Sequence, residues 1–73
     1  MNKVALITGT RKGIGRALAE HLLNQNWTVA GCSRRSSELE HPNYHHYTLN
    51  VGDEAAVVQM VRQVKRELGP IYA

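Results

Sequence analysis

A parallel α/β sheet with helices on both faces accounts for three features of this 73-residue sequence. An apolar run, Lys3 to Thr8, lacks the alternation of a half-buried strand. A glycine-rich turn, Gly9 to Gly15, follows it directly and opens a stretch of helical period. Strand-like and helix-like segments then alternate along the chain, the pattern of a doubly wound α/β sheet.

The elements follow in order. Lys3 to Thr8 reads KVALIT, continuous in the way of a strand covered on both faces. From Gly13 the period becomes helical: Ile14, Ala17, Leu18 and Leu22 form the expected apolar stripe, Arg16, Glu20 and Asn24 point elsewhere, and the helix ends near Gln25. Thr28 to Cys32 is a short β-prone run whose Gly31 suggests close approach by a backbone or ligand. Ser33 to Asn43 is polar and contains Pro42, and Tyr44 to Leu49 is a third strand. Asp53 is a good N-cap for an amphipathic helix over Asp53 to Leu68, with Val57, Val61, Val64 and Leu68 on one stripe; Gly69 and Pro70 stop it.

Right-handed crossovers order these strands 3-2-1, with two main helices, and leave the first strand at an edge. KVALIT has none of the charges, prolines or bulges that blunt natural edges. Its open side calls for a further strand, and Ile71 looks like the start of one.

Composition narrows the function classes. An apolar share of 42% with 5% aromatic residues suits a folded domain. No run is long enough to span a bilayer and no secretory leader is visible, so a cytoplasmic protein with no membrane partner is expected. The lone Cys32 has no partner for a disulfide and reads as packing. The net charge of +3 rests largely on two tight pairs, Arg11-Lys12 and Arg34-Arg35, which suit a small anion. Nucleic acid would need an aromatic platform or recognition helix, and neither is present. His41, His45 and His46 lie close together, but strand neighbours point to opposite faces and no ligand set has a recognised spacing, so no metal is expected.

At the carboxyl end of a parallel strand, a tight turn into a helix points free N–H groups and the positive end of the helix dipole at one place, where anions bind. Gly9 lets the chain leave the strand sharply, Gly13 clears space for a phosphate, and Gly15 lets the helix pack closely. The spacing is G-x-x-x-G-x-G, and the Gly-Lys-Ser/Thr ending of a P-loop is absent. A pyrophosphate is the expected occupant.

The segment TGTRKGIGRALAEHL resembles the cofactor-binding opening of the short-chain dehydrogenase/reductase family, whose signature is Thr-Gly-x-x-x-Gly-x-Gly. Thr8, Gly9, Gly13 and Gly15 match it, Ile14 is a usual occupant of its last variable place, and Asn50-Val51 sits where members carry Asp-Val or Asn-Val. The similarity runs through all 73 residues, to a Gly-Pro-Ile after which members continue toward Asn-Asn-Ala-Gly. In general appearance it is similar to the 3-oxoacyl-carrier-protein reductases. The resemblance implies a Rossmann-type fold, hydride transfer between a nicotinamide cofactor and a small carbonyl or alcohol substrate, and a homo-oligomer when complete. Two departures stand out: the segment after the second strand is too short for the usual full helix, and Asn50 replaces the commoner Asp, whose expected bond to adenine an amide oxygen can still accept.

The resemblance also implies a catalytic Ser with a Tyr-x-x-x-Lys pair, and no Tyr here has a Lys four residues later. Residues 1–73 are therefore expected to be the N-terminal portion of a dinucleotide-binding domain, without the catalytic part. An alternative of another class is a non-catalytic dinucleotide-binding or interaction module that pairs its open strand with itself or a partner.

The preferred cofactor is NADP. An acidic residue at the end of the second strand would hold the ribose 2′-hydroxyl and repel a 2′-phosphate. Between Glu20 and Glu38 there is none, and the strand end reads Cys32-Ser33-Arg34-Arg35. Arg34 can meet the phosphate bidentately, Ser33 can donate a hydroxyl, and Lys12 or Arg11 can approach from the glycine turn. Basic residues where Lys12 and Arg34 lie are also what the resemblance implies for NADP-preferring members. Arg35 reads as surface charge. The expected cofactor contacts are thus Gly9, Arg11, Lys12, Gly13, Ile14, Gly15, Ser33, Arg34, Asn50 and Val51.

Overall fold

Strands with apolar side chains on both faces need cover on both, and the chain supplies it with one helix per face. A computed structural model describes residues 3–9, 13–36 and 39–73. Its elements are β1 (Val4–Thr8), α1 (Gly13–Asn24), β2 (Thr28–Ser33), β3 (Tyr44–Thr48) and α2 (Glu54–Glu67). The three strands are parallel, in the order β1-β2-β3, with Val4 opposite Thr28 and Val29 opposite Tyr44. This is the expected order, read from the other edge.

Alternate strand residues feed two cores. On one face Ala19 and Leu23 of α1 meet Val29 and Tyr44, with Ile7, Leu22, Trp27 and Leu39 around them. On the other, Met60 and Val64 of α2 meet Val4, Ala30 and Cys32, flanked by Leu6, Tyr47 and Leu49. The two-residue repeat of each strand splits its apolar set between these layers, which is why KVALIT shows no polar alternation.

The first helix is rolled away from the expected stripe. Ala19 and Leu23 are its buried residues and Leu22 is half-buried, whereas Ile14 is 88% and Leu18 46% exposed, and Ala17 is exposed too. The inward face runs Gly15, Ala19, Leu22 and Leu23. Backbone contact between Gly15 and Gly9 sets the roll, and side-chain hydrophobicity follows it. The helix ends in a Schellman motif: Trp27 N–H donates to Leu22 C=O at 3.0 Å and Asn26 N–H to Leu23 C=O at 3.1 Å, with Asn26 left-handed at φ 67°. That turn drops Trp27 onto Leu22 and aims the chain into β2.

In α2 the Asp53 carboxylate accepts from Ala56 N–H at 3.2 Å, capping the helix as its sequence predicts. Beyond Gly69 the chain returns to the free side of β1. Ile71 forms a parallel bridge to Val4, Tyr72 N–H donates to Val4 C=O at 2.8 Å, and Leu6 N–H donates to Ala73 C=O at 2.8 Å. The expected cover for that edge is in place. Among the described residues no helix is long and apolar enough to cross a membrane.

Two groups on the α2 face make stability sensitive to alkali. Burial pushes the Cys32 thiol up from its ordinary 9.0, against a smaller lowering by the Gly9 backbone. Burial, and next the nearby Glu67 carboxylate, push the Tyr47 phenol up from its ordinary 10.0. Both groups hold their protons more tightly when folded, so their contribution is complete below the unfolded values and is lost as pH rises through the folded ones. The urea midpoint should therefore fall from about pH 8 to about pH 11, and Cys32→Ala should flatten the first part of that fall. At neutral pH, Met60→Ala should cost about 2–5 kcal/mol and Asp53→Ala about 1 kcal/mol, both read from urea unfolding followed by circular dichroism.

Candidate functional site

Where β1 ends, the backbone turns through Gly9 at φ 69°, a left-handed value that an L side chain would strain. Gly9 N–H donates to Cys32 C=O at 2.8 Å, so the turn starts while still tied to β2. Gly13, the first residue of α1, also has φ 69°, and a methyl built there would meet no atom of the described residues within 4 Å. Gly15 is different: a methyl there would overlap the Gly9 carbonyl oxygen and come 2.8 Å from its carbon. The first and third glycines of the motif are packed on each other. The first turn of α1 contains no acidic residue, so its free N–H groups and the helix dipole face any anion without local competition.

The carboxyl ends of β1 and β2 border a cleft of about 290 Å³ lined by Gly9, Cys32, Ser33, Arg34, Leu49 and Val51, together with Thr8. Four of the expected contacts, Gly9, Ser33, Arg34 and Val51, thus meet in one place. Arg34 is exposed at its rim. Gly13, Ile14 and Gly15 lie at the head of α1, with the Ile14 side chain in solvent. Asn50 folds its side chain into the next turn, its Oδ1 accepting from Gly52 N–H at 2.9 Å. Arg11 and Lys12 lie outside the described residues. A roomier cleft of about 720 Å³, near Lys3, Trp27 and Asn43, sits at the opposite, amino-terminal ends of the strands and includes none of the expected contacts. Open α/β sheets bind ligands at carboxyl ends, so the smaller cleft is the candidate.

Ser33 is already engaged. Its hydroxyl donates to the Arg35 carbonyl and lies 3.1 Å from Nε2 of His46. His46 Nε2 is also 2.9 Å from the Arg35 carbonyl, and its Nδ1 is 2.7 Å from the Tyr44 hydroxyl. In the sequence, His46 figures only in a histidine group for which no metal is expected. Its register could have revealed more, because it lies two residues after Tyr44 on the same face of β3 and opposite Gly31, two residues before Ser33 on β2. Among the described residues no group of His, Cys, Asp or Glu is arranged to hold a metal.

The glycine contacts generate a graded expectation. Gly13→Ala should cost roughly 1–2 kcal/mol, the strain of a left-handed alanine, and leave the fold intact. Gly15→Ala should displace α1 from the turn and shift amide NMR resonances from Thr8 through Ala19, because its methyl meets backbone that cannot swing aside.

The comparisons with known proteins agree on one family. The pattern described as short chain dehydrogenase matches residues 3–73. An acetoacetyl-CoA reductase of Paracoccus denitrificans is 36% identical over 76 aligned residues, which cover 97% of this chain and 31% of the reductase. A 3-oxoacyl-acyl-carrier-protein reductase of Vibrio harveyi is 35% identical over 75 residues, 94% of this chain and 31% of the relative. The ligand-free aldohexose dehydrogenase of Thermoplasma acidophilum shares the fold with a TM-score of 0.88 at 28% identity, over 96% of this chain and 27% of that one. The chain therefore spans less than a third of the length of these relatives. With the match extending from residue 3 to residue 73, across the strands, the glycine turn and both helices, the chain belongs to the short-chain dehydrogenase family.

Proposed function

We propose that this chain is the NADP(H)-binding part of an oxidoreductase that passes hydride between the cofactor and a carbonyl or alcohol substrate. The observation that carries the reading is that Arg34 and Gly9 line one cleft at the carboxyl end of the sheet, with no carboxylate among the described residues that line it. A diphosphate held at the glycine turn and a 2′-phosphate held at the end of β2 belong to one ligand, an adenine dinucleotide phosphorylated on its ribose.

The residues fit that ligand. Gly9 and Gly13 keep the backbone bare where a diphosphate would approach, and the helix head offers N–H donors. Arg34, and Lys12 or Arg11 from the turn, would neutralise a 2′-phosphate of roughly −1.5 to −2 charge. Val51 would give the adenine side an apolar wall, with Leu49 beside it. The cofactor supplies the hydride chemistry; this chain's residues bind and orient it. Since the Tyr-x-x-x-Lys pair of the family does not occur in these residues, the chain by itself is expected to bind cofactor without turnover.

Calorimetric titration tests the reading. The chain should bind NADPH at least about tenfold more tightly than NADH, the scale of one well-placed charge-assisted contact. Arg34→Asp should abolish or reverse that preference. Equal affinities in the unmodified chain would refute it.

A further inference from the structure

The crossover from β2 to β3 contains no helix among its described residues. Its first turn rests on the sheet through polar contacts. Three of them converge next to Arg34. The Ser33 hydroxyl donates to the Arg35 carbonyl. That carbonyl lies 2.9 Å from His46 Nε2, which is also 3.1 Å from Ser33 Oγ. Behind the imidazole, the Tyr44 hydroxyl stands 2.7 Å from Nδ1.

With the ring neutral, these contacts define the roles. The Tyr44 hydroxyl donates to Nδ1, so Nε2 carries the proton and donates to the Arg35 carbonyl, sharing it with Ser33 Oγ. Ser33 spends its own proton on the same carbonyl. The residues before and after Arg34 are thus fastened to each other and to β3, while Arg34 stands exposed at the cleft rim.

We propose that His46 is a positioning residue for cofactor selectivity: by clamping the Ser33–Arg35 turn it holds Arg34 where a ribose 2′-phosphate must be met, without touching the cofactor. The inference rests on the NADP(H) reading above. Its physical basis is preorganisation. A guanidinium on a loose loop gives up part of its contact energy to ordering the loop, whereas one on a fastened turn keeps it. Ser33, whose proton is committed, acts within this clamp and leaves the phosphate to the cations.

The test measures NADPH and NADH affinities by calorimetry for the full chain and for His46→Gln, His46→Asn and His46→Leu. Glutamine places an N–H donor near the position of Nε2, whereas the shorter asparagine falls short of it and leucine has no donor. His46→Gln should keep the NADPH:NADH affinity ratio within about twofold, and His46→Asn and His46→Leu should lower it about fivefold with NADH affinity unchanged, the scale of one lost hydrogen bond. If His46→Leu does not fold by circular dichroism, the Asn and Gln variants decide. Loss of general structure would weaken both cofactors together and overturn the proposal. So would an unchanged ratio in His46→Leu or His46→Asn, and if Arg34→Asp still abolished the preference the NADP(H) reading would survive. No preference in the unmodified chain would overturn both.

Discussion

The contact of Gly15 with the carbonyl of Gly9 governs the geometry of this protein. It brings the head of α1 against the end of β1 at a distance no side chain permits. Several consequences follow from that single approach. The helix dipole and its free amides are delivered to the carboxyl edge of the sheet. The roll of α1 is set, so Ala19 and Leu23 face Val29 while Ile14 and Leu18 face outward. The placement of the helix-head amides and the packing of the first helix are therefore one structural decision.

The sheet places the rest of the site around that point. Two-sided burial divides β1 and β2 between an α1 core and an α2 core. Gly9 is bonded to Cys32 across the strand gap, which puts the glycine turn beside Ser33 and Arg34. Ile71 and its neighbours satisfy the other edge of β1 with backbone hydrogen bonds, so the strand that bears the glycine turn is flanked on both sides. A flanked strand is a rigid base for the glycine turn at its end.

The other half of the site is secured by polar contacts. A short crossover, with no helix among its described residues, leaves β3 to anchor the end of β2. The imidazole of His46, set between a phenol and a carbonyl, is that anchor, and it gives the cationic turn a fixed place over the cleft. Such contacts suit a loop that has too few apolar side chains to bury.

Local chemistry sufficed for the elements, their order and the glycine turn. An unbroken apolar strand, a capping aspartate and glycines at G-x-x-x-G-x-G spacing each obey rules that act within a few residues, so KVALIT, Asp53 and Gly9 to Gly15 could be read directly. The missing edge cover was legible for a similar reason, since an unprotected strand demands a partner. Tertiary structure alone decided the roll of α1, because a backbone contact between Gly9 and Gly15 outranks the apolar stripe that Ile14 and Leu18 suggest. It alone also decided the roles of Ser33, His46 and Asn50. Each has hydrogen-bonding capacity whose use depends on which groups the strand register and turns bring within about 3 Å, and that juxtaposition is set by parallel pairing between strands distant in sequence.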